Sequence, residues 1–248
     1  MKVIVTILLL AHCFGDFYAQ WNKMAQGKVK TYAWTLLHSF FYTVCVFATV
    51  FLTLQLTYAG LLLAGFVSLS HFVVDTIKYF VVKKLQNGKS QAYAFFIDQI
   101  LHMLMIVMGA WIFKDQLHVR EFFLNPLVGS TYPRLFVATA TMLLMKPCGF
   151  MIGNGLKILS KKNDEGVSSK PLLGNGAVIG YLERIVILFL MMQGSYAGIT
   201  FVTAVKALGR YSEIKNDEDK SEYFIVGTLM SVASAILVAI CFGLTIYE

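Results

Sequence analysis

The chain has 248 residues, of which 57% are hydrophobic and only 14% charged, and a formal net charge of +7. Soluble domains carry about 25% charged residues, so this composition excludes a soluble globule. A basic balance in a soluble protein would point to nucleic acid. Here Lys and Arg gather in short connections between apolar runs, the signature of membrane topology, and a nucleic-acid groove is excluded.

The first apolar run extends from Val3 to Gln20. Lys2, the run itself and the ending Phe17-Tyr18-Ala19 resemble a cleaved signal peptide, and Leu10-Ala11-His12-Cys13 approaches a lipoprotein box. His12 stands where that box needs a small residue, so the segment is read as a retained first helix. Further runs follow at Ala33 to Thr57, Tyr58 to Val82, Tyr93 to Phe113, Leu135 to Leu156, Gly176 to Gln193, Ser195 to Leu208 and Tyr223 to Tyr247. A helix of about 20 apolar residues crosses a hydrocarbon core about 30 Å thick. The expected fold class is therefore all-α, a polytopic membrane bundle of about eight helices, or seven if Gly176 to Leu208 is one span.

Charge asymmetry decides between those counts. With eight spans and the N-terminus outside, fourteen Lys and Arg fall on the cytoplasmic side, from Lys23, Lys28 and Lys30 through to Lys215 and Lys220. Only Lys2, Lys114, Arg120 and Arg134 fall outside, which is the expected bias. Merging the sixth and seventh runs would move Lys206, Arg210, Lys215 and Lys220 outside and erase most of it. The expected organisation is a four-helix bundle at 1–113, an external connection at 114–134, and a second bundle at 135–248. Ser160 to Asn175 reads as a flexible cytoplasmic loop.

The ionisable residues inside the runs carry the functional signal. His12 with Asp16, His71 with Asp75, and Asp98 with His102 are each spaced i, i+4, and so share a helix face one turn apart; His38 joins them. Lys78, seven residues after His71, lies on the same face. Although successive helices reverse direction, all seven His and Asp residues map to one layer in the cytoplasmic half, while Val3 to Leu10 and Val44 to Leu54 hold no ionisable residue. Buried carboxylates are costly unless paired or coordinated, so such residues are functional suspects by default.

Imidazole and carboxylate together suit zinc, manganese, iron or another divalent transition metal. The metal-ligand candidates are His12, Asp16, His38, His71, Asp75, Asp98 and His102. A proton relay without metal and simple inter-helix hydrogen bonding are the competing readings. The four cysteines are scattered singly and give neither a disulfide framework nor a zinc knuckle. In the second half, Arg184, Lys206 and Arg210 are candidate substrate-binding residues for an anionic headgroup, against the alternative that they pair with Glu183 and Glu222.

These residues resemble a bacterial membrane family catalogued as domain of unknown function 3307. The resemblance rests on Ala11-His12 with Asp16 and Gln20, His38, His71 with Asp75 and Lys78, and Asp98-Gln99 with His102. Longer members are similar at Gly180, Glu183-Arg184, Lys206, Arg210, Glu222-Tyr223 and Gly227-Thr228. It implies a bacterial cytoplasmic membrane and assigns no activity.

The function expected from the residues is a metal-dependent hydrolase acting on an amphipathic lipid or lipid-phosphate substrate at the cytoplasmic leaflet. One of Asp16, Asp75 and Asp98 would be the general base, with Lys78 stabilising developing negative charge. The alternatives are a divalent-metal or proton-coupled transporter, and a sensing or interaction module with a structural metal. Its partners are expected to be membrane lipids. No Gly-rich phosphate loop, G-x-S-x-G elbow or H-E-x-x-H motif occurs. Ser169→Cys is expected to resist, and Glu248→Cys to accept, an impermeant thiol reagent applied to whole cells; strong labelling of Ser169→Cys would invert the topology.

Overall fold

The structure, a computed structural model, describes residues 1–85, 87–127, 132–159, 175–214 and 218–245. The expected loop from Ser160 to Asn175 lies almost wholly outside the described residues, as does Glu248. Among the described residues the fold is all-α with no strand, and extended pairing is limited to isolated bridges. Contacts divide the chain into two compact units, Met1–Met142 and Leu143–Glu248.

In the first unit, α1 (Lys2–Cys13) runs into a π turn (Phe14–Tyr18) and then breaks. The next helix, α2 (Asn22–Lys30), leaves at 89° to it. Three long helices follow: α3 (Tyr32–Thr53), α4 (Tyr58–Val82) and α5 (Gly88–Phe113). Thr57 and Asn87 cap α4 and α5 with side-chain oxygens that accept from Gly60 N–H and Lys89 N–H. Then come the short α6 (Glu121–Leu124) and α7 (Arg134–Leu144).

Helices α3, α4 and α5 are each long and apolar enough to cross a membrane, and the bent pair α1 and α2 adds a further crossing if counted as one. Their outward faces carry Phe40, Leu52, Leu69, Phe80, Leu104 and Trp111, all exposed, as lipid contact requires. The inward faces build a core from Ile7, Leu8, Val46, Val50, Leu63, Ala64, Val67, Ile106 and Ala110.

The connection after α5 belongs to this unit and is not a free linker. Leu117 and Leu135 pack into the core. Gln55 N–H donates to His118 C=O at 2.8 Å, and Arg120 donates to Thr53 C=O at 2.9 Å and to Leu54 C=O at 3.0 Å. The expected boundary at 134 therefore shifts into α7, because these apolar side chains and backbone groups are satisfied only against the first bundle.

In the second unit, α8 (Lys146–Leu159) continues from α7 across a break at Met145, where Pro147 follows. Helices α9 (Asn175–Met192), α10 (Tyr196–Ile214) and α11 (Glu218–Phe242) complete it. The segments Arg134–Leu159 and Ser221–Phe242 meet the length and apolarity of a span, giving five such helices among the described residues, or six with the bent pair. The doubtful sixth and seventh runs are two separate helices, divided at Gly194 with φ 66°. Neither is among the five, so a polytopic bundle is shown and the count of eight is not.

Gly15, in the π turn, packs tightly against Tyr42 of α3. A Cβ there would meet Tyr42 Cδ2 at 2.6 Å and Tyr42 Cα at 3.3 Å. Overpacking of this kind costs about 1–3 kcal/mol. Gly15→Ala is expected to lower the thermal unfolding midpoint in detergent, whereas Gly65→Ala, facing open space, leaves it unchanged.

Candidate functional site

Each helix of the first unit delivers polar side chains to one end of the bundle. His12 lies near the end of α1, and the π turn that follows, closed by Ala19 N–H on Phe14 C=O at 2.8 Å, holds Asp16. Single π turns re-aim side chains and recur at functional sites. His38 comes from α3, with Tyr42 one turn on; His71 and Asp75 come from α4; Asp98, Gln99 and His102 come from α5. All seven residues singled out from the sequence meet in one layer. His12, His38, His71, Asp75, Asp98 and His102 are buried, and Asp16 is nearly so.

Asp16 Oδ1 is the focus. It stands 3.2 Å from His38 Nε2 and 3.8 Å from His71 Nε2. His38 Nε2 also lies 3.5 Å from Asp75 Oδ2. On the α5 side, His102 Nδ1 is 3.6 Å from Asp98 Oδ1. The rings pack closely: Tyr42 stacks on His71 with centroids 3.5 Å apart, and His71 and His102 are 4.4 Å apart.

His12 differs from the other three histidines. Gln99 Nε2 donates to Asp16 Oδ2 at 3.2 Å and to Asp98 Oδ2 at 3.1 Å, which turns its Oε1 toward His12 Nε2 at 3.3 Å. In that network His12 Nε2 donates to Gln99 while Nδ1, 3.2 Å from the Tyr42 hydroxyl, accepts from it. Both nitrogens of His12 are thus engaged. Both nitrogens of His38, His71 and His102, together with Asp75 Oδ1 and Asp98 Oδ1, are buried with no hydrogen-bond partner among the described residues.

Leaving a buried polar atom unsatisfied costs about 1–3 kcal/mol, and eight such atoms in one layer is far outside ordinary practice. Two overlapping triads, Asp16/His38/His71 and His71/Asp75/His102, each offer ligand atoms within 4.8 Å of one another. Donors around a tetrahedral ion with bonds of about 2.0–2.1 Å stand roughly 3.4 Å apart. The 3.2, 3.5 and 3.8 Å separations around Asp16 and His38 bracket that figure. Chemically, the layer can hold a divalent cation or exchange protons between imidazole and carboxylate.

Two lysines border the layer. Lys78 donates to Asp98 Oδ2 at 2.6 Å. Lys28, carried by the bent helix α2, donates to Asp75 Oδ2 at 2.8 Å and stands 3.9 Å from Asp16 Oδ1. A cavity of about 60 Å³ lies between them, lined by Lys28, Thr35, Asp75, Lys78, Tyr79 and Val82. Sequence reasoning assigned Lys28 to topology alone and gave no role to Tyr42 or Gln99. Tyr42 carried a signal, its i+4 spacing from His38. Lys28 carried none, since a lysine in a cytoplasmic connection is what the positive-inside rule expects.

The second unit uses its charges differently. Arg184 is buried; its Nε donates to Leu144 C=O at 2.5 Å, Nη2 to Met145 C=O at 3.3 Å, and Nη1 to Ser231 Oγ at 3.2 Å. It satisfies carbonyls at the break between α7 and α8, a structural task at a residue expected to bind a headgroup. Lys206 pairs with Glu183 at 2.6 Å. Arg210 is in α10, but its side chain lies outside the described residues. Gly180 makes room for Arg184: a Cβ there would stand 3.3 Å from Nη1.

Fold and site together define a multi-pass α-helical membrane protein with a buried His/Asp layer in its N-terminal unit. Residues 4–126, just under half of the chain, match the family model described as "Protein of unknown function (DUF3307)". No curated protein and no solved structure matches the chain. Arg184→Met would strand the Leu144 and Met145 carbonyls at about 1–3 kcal/mol each. It is expected to lower thermal stability in detergent sharply. Arg184→Lys, lacking the fork, restores part of that loss, and an unchanged midpoint in Arg184→Met would contradict the structural role.

Proposed function

We propose that the protein is a metal-dependent hydrolase acting on an amphipathic lipid or lipid-phosphate substrate at the cytoplasmic leaflet of the bacterial inner membrane, with eight spans and both termini outside. The observation that carries the reading is the set of buried imidazole nitrogens and carboxylate oxygens that face one another at 3.2–3.8 Å without forming a well-directed hydrogen bond. Their spacing suits a transition metal, and metal coordination satisfies such atoms at once. Zinc, manganese and iron all accept this donor set.

Asp16, His38, His71 and Asp75 are the favoured ligands, with His102 completing the second triad. Tyr42, His12 and Gln99 orient them, as outer partners of metal ligands do. A divalent metal held by these residues would supply Lewis acidity and, in the case of zinc, a water of pKa about 7. Asp98 stands outside both triads and keeps one oxygen free beside His102, which suits it to take the proton from that water. Lys78, beside Asp98, faces negative charge that develops on the substrate.

A carrier would need a path to the far side of the membrane. Beyond the layer the bundle is filled by Ile7, Val46, Val50, Leu63 and Ile106, and Leu117 closes that end. Single-sided access favours chemistry over transport.

The protein purified in detergent is expected to retain a transition metal by elemental analysis. His71→Ala and Asp98→Asn should lower its content, by tens of fold in affinity for a lost ligand or its outer partner, whereas His118→Ala, exposed in the far connection, should not. Wild type without metal, and with no uptake from supplemented buffer, would remove this reading. Metal-dependent turnover of lipid phosphates or esters in micelles would then separate an enzyme from a module with a structural ion.

A further inference from the structure

The cavity beside the layer has walls that the metal reading leaves unused. Two ammonium groups from different helices, Lys28 on α2 and Lys78 on α4, face it together with Thr35 and Tyr79. Each ammonium carries three N–H donors and gives one to a carboxylate, Lys28 to Asp75 and Lys78 to Asp98. Their side chains remain partly open, at 16% and 31% of full exposure. Donors are left over on both sides of a gap lying against Asp75, a favoured metal ligand.

Charge and size then select the occupant. Asp16, Asp75 and Asp98 with Lys28 and Lys78 leave the layer one negative charge when the imidazoles are neutral, and one divalent cation turns that to one positive charge. A water-sized atom takes roughly 10–15 Å³ in this measure, so about 60 Å³ holds about the atoms of a phosphoryl group and no acyl chain or sugar. The rim is Tyr79 and Val82, and beside it Ile77, Phe80 and Val81 face outward as exposed apolar surface. An apolar tail fits there, in lipid.

We propose that the cavity between Lys28 and Lys78 is an oxyanion subsite that receives the terminal phosphate of an amphipathic phosphomonoester. The proposal rests on the metal-hydrolase reading and names its substrate class. Lysine holds phosphate as a point charge, and α2, bent 89° from α1, exists in this arrangement to bring Lys28 there. In the reaction, the oxygen of water bonds to phosphorus and the bridging P–O bond breaks. The alcohol leaves with one proton of that water, and inorganic phosphate keeps the other.

The test uses the full chain in micelles, with and without Zn²⁺ or Mn²⁺. Inorganic phosphate, a single-chain alkyl phosphate and an alkyl carboxylate are titrated by calorimetry. The alkyl phosphate is expected to bind the metal-loaded protein at least about tenfold tighter than either other probe. Phosphate and metal should raise each other's affinity by the same factor, as linkage requires. Lys28→Gln and Lys78→Gln should each weaken phosphate binding about tenfold or more with metal content retained. Lys28→Arg should preserve binding, and Lys114→Gln, at the far end, should change nothing.

Wild-type phosphate affinity in Lys28→Gln overturns the subsite even if Lys78→Gln fails to fold, and so does equal affinity for phosphate and carboxylate amphiphiles. Equal affinity for inorganic and alkyl phosphate overturns the amphipathic substrate. Metal-loaded protein with no response to phosphate removes the subsite and leaves the metal reading. Alkyl phosphate bound through Lys28 and Lys78 by protein that takes up no metal removes the hydrolase and leaves the subsite.

Discussion

The first unit is organised around a single electrostatic constraint: three carboxylates must be held inside an apolar bundle. Isolated burial of a carboxylate is prohibitive, and it persists only with countercharge and hydrogen bonds. Lys28 answers Asp75 at 2.8 Å and Lys78 answers Asp98 at 2.6 Å, while Gln99 spans Asp16 and Asp98. Much of the local backbone serves this arrangement. The π turn carries Asp16, the sharp bend after it returns Lys28, and Gly27 lets α2 lie against Trp34, where a Cβ would fall 2.5 Å from the indole. The nitrogens of His38, His71 and His102 lie beside these carboxylates but form no well-directed hydrogen bond among the described residues, although His38 Nε2 stands 3.2 Å from Asp16 Oδ1.

The same constraint explains the sidedness of the bundle. The buried His and Asp residues of the bundle gather at the end where α2 and the cavity lie, and the opposite end is closed by backbone bonds of Gln55 with His118 and of Thr53 with Arg120, whose side chain also donates to Leu54 C=O. An apolar filling beyond the layer keeps the effective dielectric low on that side, which strengthens every interaction within the layer. It also leaves a single direction of approach.

Much of this was legible in the sequence because helical periodicity is rigid. The i, i+4 pairs His12/Asp16, His71/Asp75 and Asp98/His102 had to share faces, and the alternation of spans fixed their common depth before any coordinates. What escaped has identifiable physical causes. Lys28 sits in a connection that hydropathy and charge rules treat as an exterior loop, and only the 89° bend turns it inward. His12 shares the spacing of its neighbours yet has both nitrogens engaged by Tyr42 and Gln99, a distinction set by side-chain contacts between helices and invisible along one. The connection at 114–134 read as a boundary because it is polar and holds prolines, but Leu117 and Leu135 are buried in the first unit. The sixth and seventh runs divide where Gly194 adopts a positive φ, a turn the sequence marked only by Gln193-Gly194-Ser195.

The two units show how one criterion sorts buried charge in membranes. Arg184 is buried, as the histidines are, and the sequence offered it as a headgroup-binding candidate against the alternative of pairing with an acidic neighbour. Its nitrogens are taken by the Leu144 and Met145 carbonyls and by Ser231, groups a broken helix would otherwise leave bare, so its burial is explained by the fold. Lys206 likewise ends on Glu183. For His38, His71 and His102 no such explanation exists among the described residues. Inside hydrocarbon, where water is not there to compensate, it is the unsatisfied donor or acceptor, more than the buried charge as such, that separates a site from a strut. By that measure the candidate site lies on α1, α3, α4 and α5, the stretch that the family match at residues 4–126 also covers.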